Sequence, residues 1–288
     1  MAYQSIFRSD LFRDQVIIVT GGGSGIGRCT AHELASLGAT VALVGRKPDK
    51  LTTVAAEIAE DGGAASAHPC DIREEEAVRA TVADILRAHG RIDGLVNNAG
   101  GQFQAPLEAI SQKGWETVVR TNLTGGFLMA RECYTQWMRA NGGAIVNIVA
   151  DMWNGMPLMG HSGAARAGMV NLTATAAAEW GVSGVRVNAV APGWIASSGF
   201  DTYPADVQAM LRTFRHHTPL QRFGTEAEVS AAIVFLLSPA AGFISGETLR
   251  VDGAAPNAKR HVDLPAHDRS KPWNGFHRAK LPDLLREE

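Results

Sequence analysis

The stretch that decides the fold is Val16-Ile17-Ile18-Val19-Thr20-Gly21-Gly22-Gly23-Ser24-Gly25-Ile26-Gly27. Its first five residues are a mostly β-branched run that predicts a buried strand. Glycines 21, 25 and 27 follow at once and open a helical pattern that stops at Gly38. A glycine-rich turn between a first strand and a first helix presents free backbone N–H groups, and the pyrophosphate of a dinucleotide binds there. A dinucleotide site is therefore predicted, with a turn built only for packing as the alternative.

The alternation of strand and helix continues along the whole chain. Further strands are predicted at Thr40–Val44, Ala64–Pro69, Ile92–Asn97, Ala144–Val149, Val185–Val190 and Thr248–Val251. Helical patterns lie between them at Pro48–Glu60, Glu74–His89, Ser111–Asn141, His161–Trp180 and Glu226–Leu237. This order predicts an α/β fold, a single-domain Rossmann-type doubly wound parallel sheet of about seven strands flanked by helices. No break in composition divides residues 1–253, which we interpret as one dinucleotide-binding domain.

Two regions depart from the alternation. Residues 196–220 are too long for a plain connection and predict a helical flap over the active site. Residues 254–288 carry several prolines and many charges, which is typical of an extension rather than a core element. This extension is open to three interpretations: a disordered end, a subunit contact or a lid.

The composition excludes several classes of protein. Lys and Arg number 27 against 29 Asp and Glu, and no basic block argues for nucleic acid as a partner. Ala231–Leu237, among the longest apolar runs, is far below the ~20 residues of a membrane span. Met1–Gln15 is too charged for a signal peptide, so a cytoplasmic protein is expected. The odd set of Cys29, Cys70 and Cys133 lacks Cys-x-x-Cys spacing, which predicts buried thiols and neither a disulfide framework nor a metal site.

Four motifs stand in a fixed order: Thr20–Gly27, Asn97-Asn98-Ala99-Gly100, Asn122 and Pro192-Gly193-Trp194-Ile195. They resemble the motif set of the short-chain dehydrogenase/reductase family over about Leu11–Gly253. The resemblance implies a Rossmann-type domain that binds NAD(H) or NADP(H), usually in a dimer or tetramer. The cofactor-binding residues that it implies, or that lie in its motifs, are Gly21, Ser24, Gly25, Ile26, Gly27, Asp71, Ile72, Asn98, Ala99, Gly100, Pro192, Gly193 and Ile195.

The choice between the two nucleotides is argued from charge. NAD-specific sites place a carboxylate after the second strand to bind the ribose 2′-hydroxyl. Gly45 stands at that position here, and Arg46 and Lys47 follow it. Because an arginine fork suits a 2′-phosphate, NADP(H) is predicted, with a solvated basic pair as the alternative. Asp71 resembles the family residue that hydrogen-bonds the adenine amino group.

The acid–base residues of most family members are absent. The family pattern is a Ser after the fifth strand and a Tyr-x-x-x-Lys on the next helix, in which Tyr passes a proton while a hydride moves. The aligned positions hold Ala150, Ser162 and Arg166. The tyrosines of the chain lie elsewhere, at Tyr3, Tyr134 and Tyr203. Ser162 is a poor acid and Arg166 stays charged, so Arg166 is predicted either to bind the cofactor ribose or to be a plain surface charge.

One branch of the family is known for lacking this triad, the 2,4-dienoyl-CoA and trans-2-enoyl-CoA reductases. The segments His161–Gly168, Asn97–Phe103, Asn122–Gly125 and Val262–Asp268 resemble that branch. The resemblance implies NADPH-dependent reduction of a carbon–carbon double bond conjugated to an acyl-CoA thioester. Such a reaction builds negative charge on the thioester oxygen, so hydrogen-bond donors matter more there than a phenol acid.

The candidate catalytic residues are therefore Asn122, Asp151, Ser162 and Arg166. Asn122 is a candidate donor or water holder, and Ser162 is either functional or merely structural. Asp151 follows the fifth strand and is either a protonated donor or an exposed loop carboxylate. His161 is either a proton donor or structural. An apolar acyl pocket is predicted from Trp153, Met156, Met159 and Trp194.

Three functions compete. The leading hypothesis is an enoyl- or dienoyl-CoA reductase that uses NADPH. The second is a family member that acts on a ketone or alcohol, with its proton relay rebuilt from Asp151, His161 or Tyr203. The third is a nucleotide-binding scaffold or sensor that has lost catalysis.

Overall fold

The computed structural model describes residues 2–197, 199–202, 205–258 and 264–286. Tyr203 and the first two residues of the Val262–Asp268 motif lie outside these ranges. Seven strands form one parallel sheet, with the bounds β1 Val16–Thr20, β2 Thr40–Gly45, β3 Ala64–Pro69, β4 Gly94–Asn97, β5 Gly143–Ile148, β6 Val185–Pro192 and β9 Thr248–Val251. Their order in the sheet is β3-β2-β1-β4-β5-β6-β9. Two short strands, β7 Ile195–Ala196 and β8 Gly224–Thr225, pair beside the sheet.

Helices cover both faces of this sheet. Their bounds are α1 Gly25–Ser36, α2 Pro48–Glu60, α3 Glu75–His89, α4 Gln112–Val119, α5 Gly125–Cys133, α6 Arg139–Asn141, α7 Gly160–Trp180, α8 Ala205–Thr213 and α9 Glu226–Leu237. The π-helical segments Arg120–Thr124 and Tyr134–Met138 join α4, α5 and α6 into one long rod, where the sequence predicted a single helix. The predicted α/β sheet with helices on both faces is thereby confirmed.

The bounds of two central strands differ slightly from the prediction. β4 begins at Gly94 rather than Ile92, because Asp93 Oδ2 accepts a hydrogen bond from Val16 N at 2.8 Å and takes the place of a ladder partner. β6 runs on to Pro192, since β9 pairs with it up to Val251. Sequence periodicity does not reveal such pairing between residues that are distant in the chain.

Both faces of the sheet are buried, as continuous apolar strands require. Ile17 belongs to a cluster that includes Leu34 of α1, whereas Ile18 belongs to a second cluster that includes Val82 of α3. Adjacent residues of one strand thus fill opposite layers. Each such side chain stabilises the fold by ~1.5–3 kcal/mol relative to an exposed one.

The strand order places a crevice at the carboxyl ends of β1 and β4. The chain runs outward from β1 through β2 to β3 and then returns to β4 on the other side of β1. Ligands of open α/β sheets bind at this switch point. The cysteines are buried free thiols, as predicted. Among the residues that the structure describes, none of the helices combines the length and apolar character needed to cross a bilayer.

Candidate active site

The glycine-rich turn has the backbone that the sequence pattern predicts. Gly21 and Gly25 have φ of +67° and +57°, in the left-handed region that favours glycine. A Cβ on Gly27 would collide with the carbonyl oxygen of Gly21 and with the side chain of Asn98. The first two glycines therefore shape the turn, and the third lets helix α1 pack closely against it.

Asn98 ties the ends of β1 and β4 together. Its Nδ2 donates to Thr20 O at 2.9 Å, and its backbone N donates to Thr20 Oγ1 at 3.0 Å. Ala99 N donates to the same hydroxyl at 2.9 Å. These bonds fix the floor of the crevice, so Asn98 acts on the shape of the site through the backbone.

A cleft of about 340 Å³ opens between the turn and the ends of β2, β3 and β4. The predicted cofactor residues that line it are Gly21, Ser24, Ile26, Arg46, Lys47, Asp71, Ile72, Asn98, Ala99 and Gly100. The remaining predicted residues, which do not line this cleft, are Gly25, Gly27, Arg166, Pro192, Gly193 and Ile195. Of these, Pro192 ends β6 and Ile195 is buried in β7, at the neighbouring edge of the sheet. Ser197, just beyond β7, does reach the cleft.

The wall of the cleft that follows β2 and β3 is positively charged. Lys50 and Arg73 stand there beside Arg46 and Lys47, and sequence reasoning missed both. Asp71 is the carboxylate of this wall, and Arg73 binds it with two nitrogens, Nε at 2.9 Å and Nη2 at 2.5 Å. Hydrogen bonds from the Arg73 side chain lower the pKa of Asp71 to about 2. Four cations against one anion make a wall suited to phosphate.

Asn122 lies in the π-helical segment and is almost fully buried. Its Oδ1 accepts from Gly101 N at 2.9 Å, and its Nδ2 donates to Gly101 O at 3.0 Å. This two-sided contact holds the loop after β4. The carboxamide is thus engaged with the loop, which fits a positioning role for Asn122; its role as a donor or water holder stays a prediction.

Ser162 relays a chain of hydrogen bonds toward the mouth of the site. It accepts from Asn122 Nδ2 at 3.4 Å, and its hydroxyl donates to Gln102 Oε1 at 2.8 Å. Within the described residues, Gln102 Nε2 has no protein acceptor, and the residue is exposed. Gln102 is therefore a free donor held in place by Ser162. Only its place in the Asn97–Phe103 motif hinted at it.

Arg166 is buried, which excludes the alternative of a plain surface charge. One nitrogen, Nη1, donates to Ile148 O at 2.6 Å, and burial lowers the pKa of the guanidinium to about 10. A side chain at Gly100 would collide with Nη2. In the described part of the chain no other acceptor serves this guanidinium. A buried cation with unused donors beside the cleft residue Gly100 fits a polar ligand there.

Asp151 is half-buried, and its electrostatic neighbours belong to the end of β9. Burial, and then the charge of Asp252, raise its pKa above the ordinary value, while Arg250 lowers it. Asp252 Oδ2 is buried without a hydrogen-bond partner among the described residues. No hydrogen bond within those residues joins Asp151 to Ser162. Asp151 is therefore not part of the Asn122–Ser162 chain, and the role of an acid stays a prediction for it.

His161 is fully buried at the start of α7. Its Nδ1 accepts from Ser162 N at 2.8 Å, and Phe103 meets its ring edge-on at 4.4 Å between centroids. Nε2 has no partner in the described part of the chain.

Of the predicted acyl-pocket residues, Trp194 packs on Phe214 at 4.5 Å between ring centroids, and Trp153 lies under the guanidinium of Arg250.

The described residues hold no group of three or more His, Cys, Asp or Glu side chains that could bind a metal ion.

Comparison with known proteins agrees with the fold and the glycine turn. Residues 21–254 match the family model described as enoyl-(acyl carrier protein) reductase. The chain is 36% identical over 256 residues to a peroxisomal 2,4-dienoyl-CoA reductase of Danio rerio, covering 88% of this chain and 85% of that protein.

Two solved structures extend this picture. The citronellol catabolism dehydrogenase AtuB of Pseudomonas aeruginosa PAO1 is 65% identical with a TM-score of 0.80, over 88% of this chain and 99% of that one. A Beutenbergia cavernae protein described as an NAD(P)-dependent gluconate 5-dehydrogenase, with bound NADP, is 33% identical with a TM-score of 0.80, over 87% of this chain and 100% of that one. The family uses nicotinamide cofactors, and its members here act on chemically different substrates. The chain belongs to the short-chain dehydrogenase/reductase family and is an oxidoreductase.

Proposed function

We propose that the chain reduces a carbon–carbon double bond conjugated to the thioester of an enoyl- or dienoyl-CoA, with NADPH as the reductant. The observation that carries this proposal is the hydrogen-bond chain from Asn122 through Ser162 to Gln102. Ser162, which occupies the family's tyrosine position, donates a hydrogen bond to Gln102 Oε1. Its hydroxyl therefore orients the Gln102 amide and does not transfer a proton to the substrate. The 2,4-dienoyl-CoA reductases among the relatives support the same reaction class.

The cofactor site supports NADPH over NADH. The turn Gly21–Gly27 would hold the pyrophosphate, and Arg46 with Lys47, Lys50 and Arg73 would hold a 2′-phosphate. Gly45 ends β2 and offers no carboxylate to repel that phosphate. The unused donors of Arg166 would face the nicotinamide ribose. Bound NADPH would supply a hydride to the double bond.

The residues of this chain then have two tasks. As charge develops on the thioester oxygen, the free Nε2 of Gln102 would donate to that oxygen from a fixed position. A preorganised donor of this kind typically contributes ~10²–10³ in rate. The buried charge of Arg166 adds a favourable field, because its pKa of about 10 keeps it protonated at neutral pH.

The second task is delivery of a proton to carbon. Asp151 is the candidate, because burial and the charge of Asp252 raise its pKa and favour the protonated form. His161 is the weaker candidate, since its side chain is fully enclosed. An acid near the substrate carbon completes the reduction without a tyrosine.

A second candidate function is oxidation of a branched acyclic alcohol. It is favoured by the 65% identity to a citronellol catabolism dehydrogenase. Such a reaction needs a base at the hydroxyl, and Asp151 would have to lose its proton to serve. The raised pKa of Asp151 disfavours that form.

A substrate panel tests these proposals. Purified protein is mixed with NADPH and crotonyl-CoA, 2,4-decadienoyl-CoA, a branched enoyl-CoA or a ketone, and with NADP⁺ and citronellol, while nicotinamide absorbance is followed. Turnover of the thioesters alone supports the first proposal, and citronellol oxidation alone supports the second. Tight NADPH binding without any turnover would indicate a scaffold or sensor.

Gln102→Ala probes the proposed donor. We expect kcat to fall by about 10²-fold with NADPH affinity unchanged, as for loss of one oxyanion donor. Gln112→Ala, an exposed carboxamide on α4, is the matched control. Full activity of Gln102→Ala would remove the residue from the mechanism.

The assembly and location are also proposals. The face built from α4, α5 and α7 is the expected surface of a homodimer or homotetramer, and Trp115 and Phe127 are partly exposed on its elements. Light scattering on the purified chain tests this. A cytoplasmic location stays a prediction from composition.

A further inference from the structure

The C-terminal segment 264–286, here called the C-terminal strap, contacts the body of the protein at two separate places. One lies against α1, α2 and α9, on the side of the cofactor turn. The other lies against residues 200–202 and 205–223, which contain α8 and follow the Pro192–Ile195 motif, and it includes a hydrogen bond from Arg222 Nε to Ser270 Oγ at 2.9 Å. Neither contact is part of the catalytic cluster described above.

The first contact is a firm anchor. Phe276 is 2% exposed, and its ring lies 5.7 Å from Tyr3 and 5.0 Å from His32, measured between centroids. Arg278 binds Asp61 and Glu60, at 3.1 Å and 2.9 Å. Apolar burial and ion pairs therefore attach the strap to α1 and to the end of α2.

Backbone bonds reinforce this anchor. Gln4 N donates to Gly275 O at 2.9 Å, and Thr225 Oγ1 donates to Trp273 O at 2.7 Å. Trp273 N donates to Glu228, the residue that also closes the capping box of α9. The strap is thus attached to β8 and α9 by hydrogen bonds as well as by packing.

The second contact completes the core of the flap. Leu284 is 2% exposed and forms one cluster with Phe200, Leu211 and Phe223. Asp283 N donates to Asp201 Oδ1 at 2.9 Å. Three of the four buried members of this cluster belong to the flap, and the strap supplies the fourth, which packs against Leu211 of α8.

Trp194, which the sequence predicts as a residue of the acyl pocket, borders this cluster. Trp194 packs against the cluster and against the ring of Phe214. It stands between Pro192 and the β7 strand that leads into the flap. A shift of α8 would therefore move the wall of the acyl pocket predicted at Trp194.

We propose that the C-terminal strap is a positioning element, in which Leu284 holds the flap over the substrate site and so sets substrate affinity without touching the substrate. Anchoring at Phe276 gives the strap the fixed end that this requires. The identity of the substrate rests on the proposed function, but the mechanical role does not. A brace of this kind differs from the three interpretations of the extension, which were a disordered end, a subunit contact or a lid.

The test compares Leu284→Ala with Leu281→Ala, a leucine of the same segment that is 49% exposed. Hydrogen–deuterium exchange of peptides from 200–213 is measured first, because it needs no substrate. We expect faster exchange in Leu284→Ala only. With the best acyl-CoA of the panel, KM should rise about tenfold, while kcat and the NADPH Kd change by less than about twofold.

A double mutant tests the anchor. If the strap acts as one piece, Leu284→Ala should add less than about twofold to KM in a Phe276→Ala background. Leu284→Val replaces Leu284→Ala if melting shows that the latter is unfolded.

Wild-type exchange in Leu284→Ala, or faster exchange with an unchanged KM, overturns the proposal. If no acyl-CoA is turned over, the reductase proposal fails and KM is replaced by the Kd of whichever substrate the panel identifies. If the panel identifies none, the exchange result alone decides for or against the brace.

Discussion

Arg46→Ala should change the cofactor preference of the enzyme. Arg46 is exposed on the wall of the cleft and lies close enough to Asp71 to lower the pKa of that carboxyl. β2 ends at Gly45, so the position at which NAD-specific sites carry a carboxylate for the ribose 2′-hydroxyl has no side chain here. The Arg46 side chain is therefore free to bind a 2′-phosphate, which only NADPH carries.

The expected magnitude follows from the composition of this wall. A hydrogen bond between charged groups contributes ~1.5–3 kcal/mol. Arg46 is solvent-exposed, and Lys47, Lys50 and Arg73 remain after its removal, so the lower end applies. The loss is then about 1.5 kcal/mol, or about tenfold in the Kd of NADPH. NADH should lose less than about twofold, because it makes no such contact.

The assay is titration of protein with each nucleotide, followed by the fluorescence of the reduced nicotinamide. Arg87→Ala is the control, since it removes the same charge from α3, where Arg87 pairs only with Asp84 in the described residues. The difference between the two nucleotides should shrink as ionic strength rises, because an exposed contact is screened by salt. Equal losses for NADPH and NADH, or an equal loss in Arg87→Ala, would refute the reasoning.

Further predictions concern the titration of Asp151 and Glu226 and the contact of Asn122 with the loop after β4. The raised pKa of Asp151 keeps the acid protonated to higher pH, so kcat should fall as pH rises through that pKa, and Asp151→Asn should abolish this limb. A pH profile of Asp151→Asn that matches the wild type would contradict the acid role. Burial raises the pKa of Glu226 from 4.5 to about 7, so the folded state binds the proton more tightly than the unfolded chain. Stability should decline from pH 4.5 to 7, and Glu226→Gln should be more stable at pH 8 by a value on the order of 3 kcal/mol. Melting curves at both pH values check this, with exposed Glu76→Gln as a control that should show no such difference. Asn122→Ala removes two hydrogen bonds to Gly101 and should cost about 1–3 kcal/mol of unfolding free energy; an unchanged melting temperature would show that the loop does not depend on Asn122.

The sheet could be predicted because local pattern and tertiary packing agree there. In β1 every residue is buried, and a continuous apolar run is what a strand covered on both faces requires. The turn at Gly21 and Gly25 could be predicted because a left-handed φ is a property of single residues. The sequence also has Ser162 at the position aligned with the family's tyrosine, and the loss of the proton relay stays a prediction from that position.

Contacts between residues that are distant in sequence could not be predicted in this way. The bond of Ser162 to Gln102 spans 60 residues, and only the folded chain shows that the serine orients an amide. Asn122 was predicted as a donor or water holder, and its bonds to Gly101, in the loop after β4, could not be predicted from its own motif. Arg73 lines the cleft and pairs with Asp71 there, which the sequence did not indicate.

By itself, then, the sequence determined the Rossmann-type sheet and the glycine-rich turn, and it predicted a pyrophosphate site at that turn, a phosphate-binding role for the basic residues after β2 and the loss of the usual proton relay. These properties depend on residue type and on spacing within one strand, turn or helix. Only the tertiary structure decided that Arg166 is a buried cation, that Gln102 is the exposed donor and that the C-terminal strap supports the flap at Leu284. Burial and long-range contact arise when separate elements pack together, and no local pattern encodes which elements will meet.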